Sequence, residues 1–573
     1  MKKIFIALTA VCAAWIFSAC ESRLDIPQHS VSPIEDFYQT DEHAESTLVN
    51  AYYTAARFYS NSMFLTSGWN ECHLIDILEF ASDDNFVAGE NKADQTAGNQ
   101  INAFWVDQNN DFITGAYEAY YMIIQAANLV IDHFYGEDGS LATSDVKKRC
   151  VAEARILRAY THLMLAQTWG NAPIVDHLLT GADRPANSES QAQVLQFVVD
   201  DCDAALANLR SKSSKTDKDR SIVITKEFAL AVKGKALLFM GKYDEAKAAL
   251  KQVITSDKYD LVPSDKMTSL YHYSGRGNEE TMFEFNLVYD ATVSDYYWRA
   301  QPNFISLWGW RTDKMQVPNG EGSEYPDKGG WGWLNPSQKF VDALIANDGI
   351  NSARRKAWIK SYDEVLYEMP YASDATCPTL ADKKKDPKRG IFAAAGLYGH
   401  CGWFMWKRLF RTEDFAPNGE TQWNLVVMRY AEVLLMYAEC CAMTKDNDGL
   451  VYLNKIQDRA QAQHRSASLT LEEVQNEKHL ECWLEATRFP DLVRWGLAEK
   501  ELADNGKYLP NYCDELVTKT NATEHKGYID ESDADWNIKA HPQMGFRKGR
   551  NEFFPYPFSE LNVNPNLVQN PGY

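Results

Sequence analysis

The chain is short of positive charge. It has 58 Lys and Arg against 79 Asp and Glu, a formal net charge of −21 over 573 residues. Nucleic acid recognition needs clustered cations to displace counterions, so this balance argues against such a partner. It also disfavours highly sulfated or otherwise polyanionic ligands unless a local basic patch exists. Long apolar runs are lacking as well. The stretch 4–17 is apolar but too short to cross a bilayer comfortably, and no later stretch reaches the roughly 18 uncharged apolar residues of a membrane span. The cysteines show no CxxC spacing, which removes zinc knuckles and thioredoxin-type redox motifs. GxSxG, HExxH and Walker A are all absent, so no enzyme motif, cofactor motif or metal-ligand set is read. Asp446-Asn447-Asp448-Gly449 comes nearest to a calcium loop. EF-hand spacing would put its first ligand at Thr444 and its closing carboxylate at Lys455, so it reads as a plain turn between helices.

What is present is the composition of a soluble globular protein, 45% hydrophobic and 24% charged. The N-terminus reads as a secretory signal over 1–19, with Lys2 and Lys3 ahead of the apolar run and Phe17-Ser18-Ala19-Cys20 behind it. Small residues before a cysteine resemble a lipoprotein cleavage site, which makes Cys20 the lipid anchor and the membrane contact a tether only. Residues 21–40, with Pro27 and Pro33, read as a leash. Cys12 falls in the signal; Cys72, Cys150, Cys202, Cys377, Cys401, Cys440, Cys441, Cys482 and Cys513 remain, an odd number, and several sit on apolar helix faces as small core residues.

The body is organised around 151–175. Ile156, Leu157, Tyr160, Leu163 and Met164 recur at helical spacing and form a wide buried stripe. Gly170 and Pro173 stop the helix. Arg155 and Arg158 lie one turn apart within it; arginines in such a place must meet carboxylates or carbonyls and pin helices together. Helices are also expected over 41–59, 112–134 and 191–209, whereas 92–102 reads as loop. A tetratricopeptide-like unit covers 225–261, on Gly234, Leu237, Gly241, Tyr243, Ala246, Leu250 and Val253. One unit cannot bury both faces, and weaker ones at 428–459 and 471–502 supply partners. The intervening part is rich in Gly, Pro, Trp and Tyr; a connection that long reads as an ordered, functional lobe. The fold class is therefore mostly α: a TPR-like helical-hairpin stack with an inserted loop-rich lobe. Its expected parts are a 20–265 helical portion and a 266–573 portion, the latter divided into a lobe at about 266–422, further helices at 423–505 and an irregular tail at 506–573.

Several strings carry a family resemblance. They are Ala154-Arg155-Ile156-Leu157-Arg158-Ala159-Tyr160 with Trp169-Gly170-Asn171-Ala172-Pro173, then Asn278 to Glu284, Phe340-Val341-Asp342, Arg429 to Glu439, Asp491 to Gly496, and the ending Gln569-Asn570-Pro571-Gly572-Tyr573. In this order they resemble the SusD/RagB family of outer-membrane lipoproteins. Lys478 stands where that family usually has arginine and Ala486 where it has glycine, and 351–355 lacks its usual Asp-x-Arg spacing. The resemblance implies a surface-exposed, lipid-anchored protein. It would capture a nutrient, usually an oligosaccharide, and deliver it to a SusC-like TonB-dependent transporter that covers a large helical face, without catalysis.

Flat C–H faces of sugar rings pack on indoles while their hydroxyls need forked polar partners. Tyr296, Trp298, Trp308, Trp310, Arg311, Trp331 and Trp333 in the lobe offer that combination, with Trp69, Asp84, Asn85 and Trp105 of the early loops as a second surface. Adjacent acidic pairs such as Asp83-Asp84, Glu279-Glu280 and Glu472-Glu473 read as solvated surface. Three other readings fit the same features: peptide capture by this architecture, a surface glycoside hydrolase with a carboxylate pair in the aromatic cleft, and a TPR scaffold that binds only proteins, its tryptophans buried.

Overall fold

The computed structural model describes residues 37–60, 74–87, 89–90, 94–286, 307–318, 330–392, 394–416, 422, 424–519, 521–530 and 543–573. Cys20, Trp69, Cys72, Tyr296 and Trp298 lie outside them.

Among these residues the frame is helical. Its first part comprises α1 (Asp41–Ser60), α2 (Asp76–Phe80), α3 (Thr96–Asn102), α4 (Asp111–Phe134), α5 (Asp145–Trp169), α6 (Gln191–Ala205), α7 (Lys226–Phe239) and α8 (Tyr243–Thr255). The lobe carries α9 (Gln338–Asp348) and α10 (Ala353–Trp358), and the frame resumes with α11 (Tyr430–Thr444), α12 (Gly449–Ala460), α13 (Leu471–Glu481) and α14 (Arg488–Arg494). Consecutive helices pack in series: α4 on α5, α5 on α6, α6 on α7, α7 on α8, then α8 directly on α11 and α11 on α12 and α13. The stack is thus continuous across the inserted lobe. The Asp446–Gly449 turn is held from α8, where Lys251 Nζ donates to Asp448 at 2.6 Å and Lys247 Nζ to Asp446 at 3.3 Å. Its carboxylates answer lysines, as a plain turn requires.

The central helix forms as its pattern dictates. Ser144 caps α5 by accepting the Lys147 N–H, and Gly170 ends it at φ 73°. A side chain at Gly170 would press into the Phe553 ring. Both arginines pin helices. Arg158 Nε and Nη2 clasp Asp201 of α6 at 2.8 Å, Arg158 Nη1 reaches Asn128 of α4 at 2.7 Å, and Arg155 joins Asp201 at 3.0 Å.

One turn later His162 is fully buried. Its Nδ1 lies 3.0 Å from the Arg158 carbonyl oxygen and its Nε2 accepts the Val175 N–H at 3.2 Å, an arrangement that needs neutral imidazole. Burial pushes its pKa down to about 4. A histidine whose folded pKa lies below its unfolded value of about 6.5 gives full stability at neutral pH and loses it as pH falls through that window. Between pH 7 and pH 5 the wild type should therefore lose about 2 kcal/mol more than His162→Gln. Urea denaturation of both proteins at the two pH values reads this difference; equal losses would remove His162 as its source.

The lobe is zipped shut at its base. β2 (Thr281–Asn286) pairs antiparallel with β9 (Asn424–Arg429), so the insertion leaves and re-enters the frame side by side. Inside it are β3 (Met315–Gln316), β4 (Asn335–Pro336), β5 (Ile359–Ser361), β6 (Gly390–Ile391), β7 (Leu397–Tyr398) and β8 (Trp403–Met405). β3 pairs with β6 and β5 with β8, while β10 (Asn511–Asp514) joins β7 to β11 (Gly527–Ile529). A second, smaller core under these strands packs Trp310, Met315, Phe404 and Trp406.

Beneath the zipper lies a buried ionic network. Arg429 meets Glu280, Glu481 and Glu485; Arg459 meets Glu280 and Glu481; Arg354 meets Asp348, Glu477 and Glu481. Glu280 and the Asp83-Asp84 pair are buried, contrary to the solvated-surface reading, because each has cationic neighbours to answer it. The departures from the family pattern resolve here. Lys478 pairs with Asp491 at 2.7 Å, Arg354 takes Asp348 at 2.7 Å in place of an Asp-x-Arg partner, and Ala486 sits at φ 57°, the left-handed region that favours glycine. Among the described cysteines Cys150, Cys202, Cys401, Cys440, Cys441, Cys482 and Cys513 are buried and Cys377 half-buried, and all are free thiols.

Candidate ligand-binding surface

Helix α4 runs 24 residues, about 36 Å, and its two ends have different neighbours. At the C-terminal end Tyr38, just inside the leash, stacks on His133 with ring centroids 3.7 Å apart. At the N-terminal end Asn110 caps the helix and ties α3 to it through the Ala97 carbonyl and Gln100, each at 3.0 Å. There the early loops and the lobe meet: β1 (Asn85–Phe86) pairs antiparallel with β4, and Trp333 packs between Phe80 and Phe112. The candidate surface lies at this pole.

The lobe's tryptophans divide by exposure. Trp308 is 1% exposed, Trp310 3% and Trp333 1%; the first and last form a bridge in the main core and Trp310 belongs to the second. These three are packing residues, a correction to the sequence reading, because segments 307–312 and 330–335 lie across the frame as an inner layer rather than as outer loops. Trp331, in contrast, is 49% exposed. Its backbone N–H donates to the Leu307 carbonyl oxygen, and Gly332, at φ 103° between the two tryptophans, breaks the extended backbone, so that Trp331 turns outward while Trp333 faces the core. Gly330, at φ 96°, makes this approach feasible, since a side chain there would collide with the Trp310 carbonyl oxygen. Asn335 holds the segment, donating to the carbonyls of Gly309 and Gly332 and to His400 Nε2 at 2.9 Å, and accepting from Met405 N–H. Burial pushes His400 down to about 4, which keeps Nε2 an acceptor at neutral pH.

Arg311 completes the platform. Its guanidinium lies 4.9 Å from the Trp331 ring centroid, and Nε and Nη2 are held in a fork by Asp313 at 2.9 and 2.7 Å. Nη1 is 3.8 Å from Asp94 of the early loops, and Lys314 approaches Glu90 at 3.4 Å. Exposed Phe392 is fixed beside this group by a 2.7 Å bond from its N–H to the Lys314 carbonyl, and exposed Tyr508 lies against Phe86 of β1. The result is a half-open indole backed by a guanidinium, edged with carboxylates and an ammonium. Such a surface can stack a ring and divide hydroxyl hydrogen bonds among fixed donors and acceptors.

The second early candidate, Trp105, is 36% exposed at the end of α3. Asp84 and Asn85 are not ligand residues in this arrangement. Asp84 accepts from His479 at 2.6 Å, and Asn85 bonds Glu79 and the Trp483 indole N–H, which fixes the base of the early loop. Glu79, buried behind them, is pushed by that burial up to about 7. Sequence reasoning singled out Arg311, Trp331 and Trp105 but missed Asp94, Lys314, Phe392 and Asn335. None has a local signal; the partners come from segments more than 200 positions apart or from strands of two residues. It also read 96–102 as loop, where the structure forms α3.

Comparisons with known proteins bear on this architecture. The model of a family described as "Starch-binding associating with outer membrane" matches residues 36–238, and that of the SusD family matches 393–573. The chain belongs to the SusD/RagB family. A "SusD-like protein" of Bacteroides ovatus is 23% identical over all of this chain and 97% of its own. SusD-like protein P38 of Formosa agariphila is 25% identical over 60% of this chain and 70% of its own. Among solved structures, a laminarin-binding SusD-like protein superposes with a TM-score of 0.67 at 21% identity, covering 93% of this chain and 99% of that one. Surface glycan-binding protein A from Bacteroides thetaiotaomicron gives 0.70 at 20%, covering 94% and 100%, and its complex with laminarihexaose gives 0.68. These likenesses establish the mostly helical SusD fold for this chain. Among its described residues no helix is long and apolar enough to cross a membrane.

Proposed function

We propose that this SusD-family chain binds an oligosaccharide at the α4 N-terminal pole, without catalysis, and delivers it to a SusC-like TonB-dependent transporter. The observation that carries the reading is Trp331, half-exposed on a loop whose other tryptophans are buried, with Arg311 locked against it by Asp313. The glycan ligands named for the structural relatives support the same class of cargo. Cys20 anchors the chain to the outer membrane through lipid, and the leash enters at the opposite end of α4, which leaves the ligand pole facing outward. Residues 1–19 are the signal, 20–265 the helical part, and 266–573 the part that carries the lobe.

Isothermal titration of the mature chain against neutral and acidic oligosaccharides and a peptide mixture tests the reading. One glycan class should bind in the millimolar-to-micromolar range, and Trp331→Ala should weaken it at least about tenfold, the order expected for a stacked sugar ring, with no change in the melting temperature. A response to peptides alone would replace the glycan with a peptide cargo, and cleaved products in the cell would end the non-catalytic assignment.

A further inference from the structure

We propose that Arg547, Lys548 and Arg550, beside Trp105, form a subsite for an oxyanion substituent of the glycan, a uronic-acid carboxylate or a sulfate ester. This inference rests on the glycan-binding reading above and names the class of sugar.

The three cations project from one tight turn. The N–H groups of Arg550 and Asn551 both bond the Arg547 carbonyl, and the Arg547 N–H closes the turn on Asn551 Oδ1 at 2.9 Å. The turn is seated on the early-loop segment that carries Trp105: Arg550 Nη2 donates to the Val106 carbonyl at 3.1 Å, and the Gly545 N–H to that of Ala103 at 2.9 Å. The cluster and the exposed indole are therefore one rigid surface, at the same pole as Trp331 and joined to it by α3, only about 10 Å long. A chain of a few sugars can lie across both.

Among the described residues no carboxylate forms an ion pair with this cluster. Arg547 keeps Nε and Nη2 out of solvent without a hydrogen-bond acceptor. Burial pushes its pKa down and Arg550 pushes it further; only the Tyr573 phenol opposes, with no carboxylate among its influences. Arg550 finds a carbonyl and the face of Tyr573, 4.3 Å away, and Lys548 is exposed. The nearby Glu552 accepts the Gly549 N–H at 2.8 Å. Arg547 and Arg550, held side by side with Lys548 on the same turn, repel one another until an anion joins them, in a chain of net charge −21. An oxyanion with several acceptor lone pairs supplies what the site lacks, and charge-assisted bonds to arginine are the stronger kind. This is the local basic patch without which the overall charge would turn acidic ligands away.

The test titrates the mature chain with three oligosaccharides of equal length: uncharged galacto-oligosaccharide, oligogalacturonate and a sulfated galacto-oligosaccharide. One charged arm should bind at least tenfold more tightly than the neutral one, and which arm does so identifies the oxyanion. Lys548→Glu, an exposed change that leaves the fold intact, should erase the preference while leaving neutral-sugar affinity within twofold, and Arg547→Gln should reduce it. Equal affinity for all three sugars, or a preference that survives Lys548→Glu, overturns the subsite; in that case neutral binding that still depends on Trp331 leaves the glycan reading standing. Absence of binding by every sugar overturns both.

Discussion

Replacing Arg429 by alanine should destabilise the protein by about 3–5 kcal/mol, the cost of leaving buried carboxylates without their partner. Arg429 ends β9 at the base of the lobe and is bonded to Glu280, Glu481 and Glu485. Burial pushes Glu485 up, but Arg429 and Lys407 outweigh it and hold that carboxyl far below its usual range. The same holds for Glu481, pulled down by Arg459, Arg429 and Arg354. A carboxyl depressed in this way stabilises the fold at every pH above its unfolded value of about 4.3, so the wild-type network is intact at pH 5. In the variant the orphaned carboxyls regain raised values and take up protons as pH falls, which relieves the buried charge. The gap between the two proteins should therefore narrow from pH 7.5 to pH 5. Denaturant titration at both values measures it; a gap that does not change with pH would assign the loss to packing rather than charge. Because Glu280 immediately precedes β2 and Arg429 is the last residue of β9, the lobe's base should open first in the variant, visible as faster amide exchange in both strands.

Trp333→Ala should cost about 3–5 kcal/mol, as large-to-small changes at fully packed aromatics do. Its indole fills the space between Phe80 of α2 and Phe112 of α4 at centroid distances of 5.4 and 5.8 Å, and the surrounding helix ends cannot collapse onto the gap without moving the α4 cap. The comparison with Trp331→Ala is the informative one. Two tryptophans, two positions apart, should separate completely: the first variant melts early, and the second keeps its melting temperature and loses ligand. Equal losses of stability would mean that Trp331 is also a core residue and would remove it from the binding surface.

Much of this fold is written locally. The α5 stripe and its Gly170 stop depend on residues within one or two turns of each other, and the close approach of α7 to α8, where Gly234 leaves room for Leu250, on residues of one hairpin, so periodicity and capping chemistry reveal them. Helix α3 was illegible because its sequence, TAGNQIN, is polar and contains a glycine; it exists through Asn110 and the packing of Ile101, which are tertiary facts. The need of Arg158 for a carboxylate could be foretold, but not that Asp201 would supply it. The lobe's tryptophans were legible as a set and illegible one by one. Burial there follows from the pairing of β1 with β4, two residues on each side, and such short strands carry no periodic signal. The basic turn at 547–550 is plain in the sequence, yet whether arginines are neutralised depends on neighbours brought from elsewhere in the chain.

The state of the thiols has a practical consequence. Burial pushes the Cys401 and Cys440 thiols up to about 12, so they stay protonated and unreactive in neutral buffer. Cys377, on the lobe and 3.8 Å from Asp386, is the single described thiol that is not buried. With Cys72, which lies outside the described residues, replaced by serine, a maleimide fluorophore on Cys377 would report from the lobe without disturbing either core. With a second dye introduced at the α4 C-terminal end, the distance between lobe and frame becomes an optical signal, readable while sugar is added and washed away.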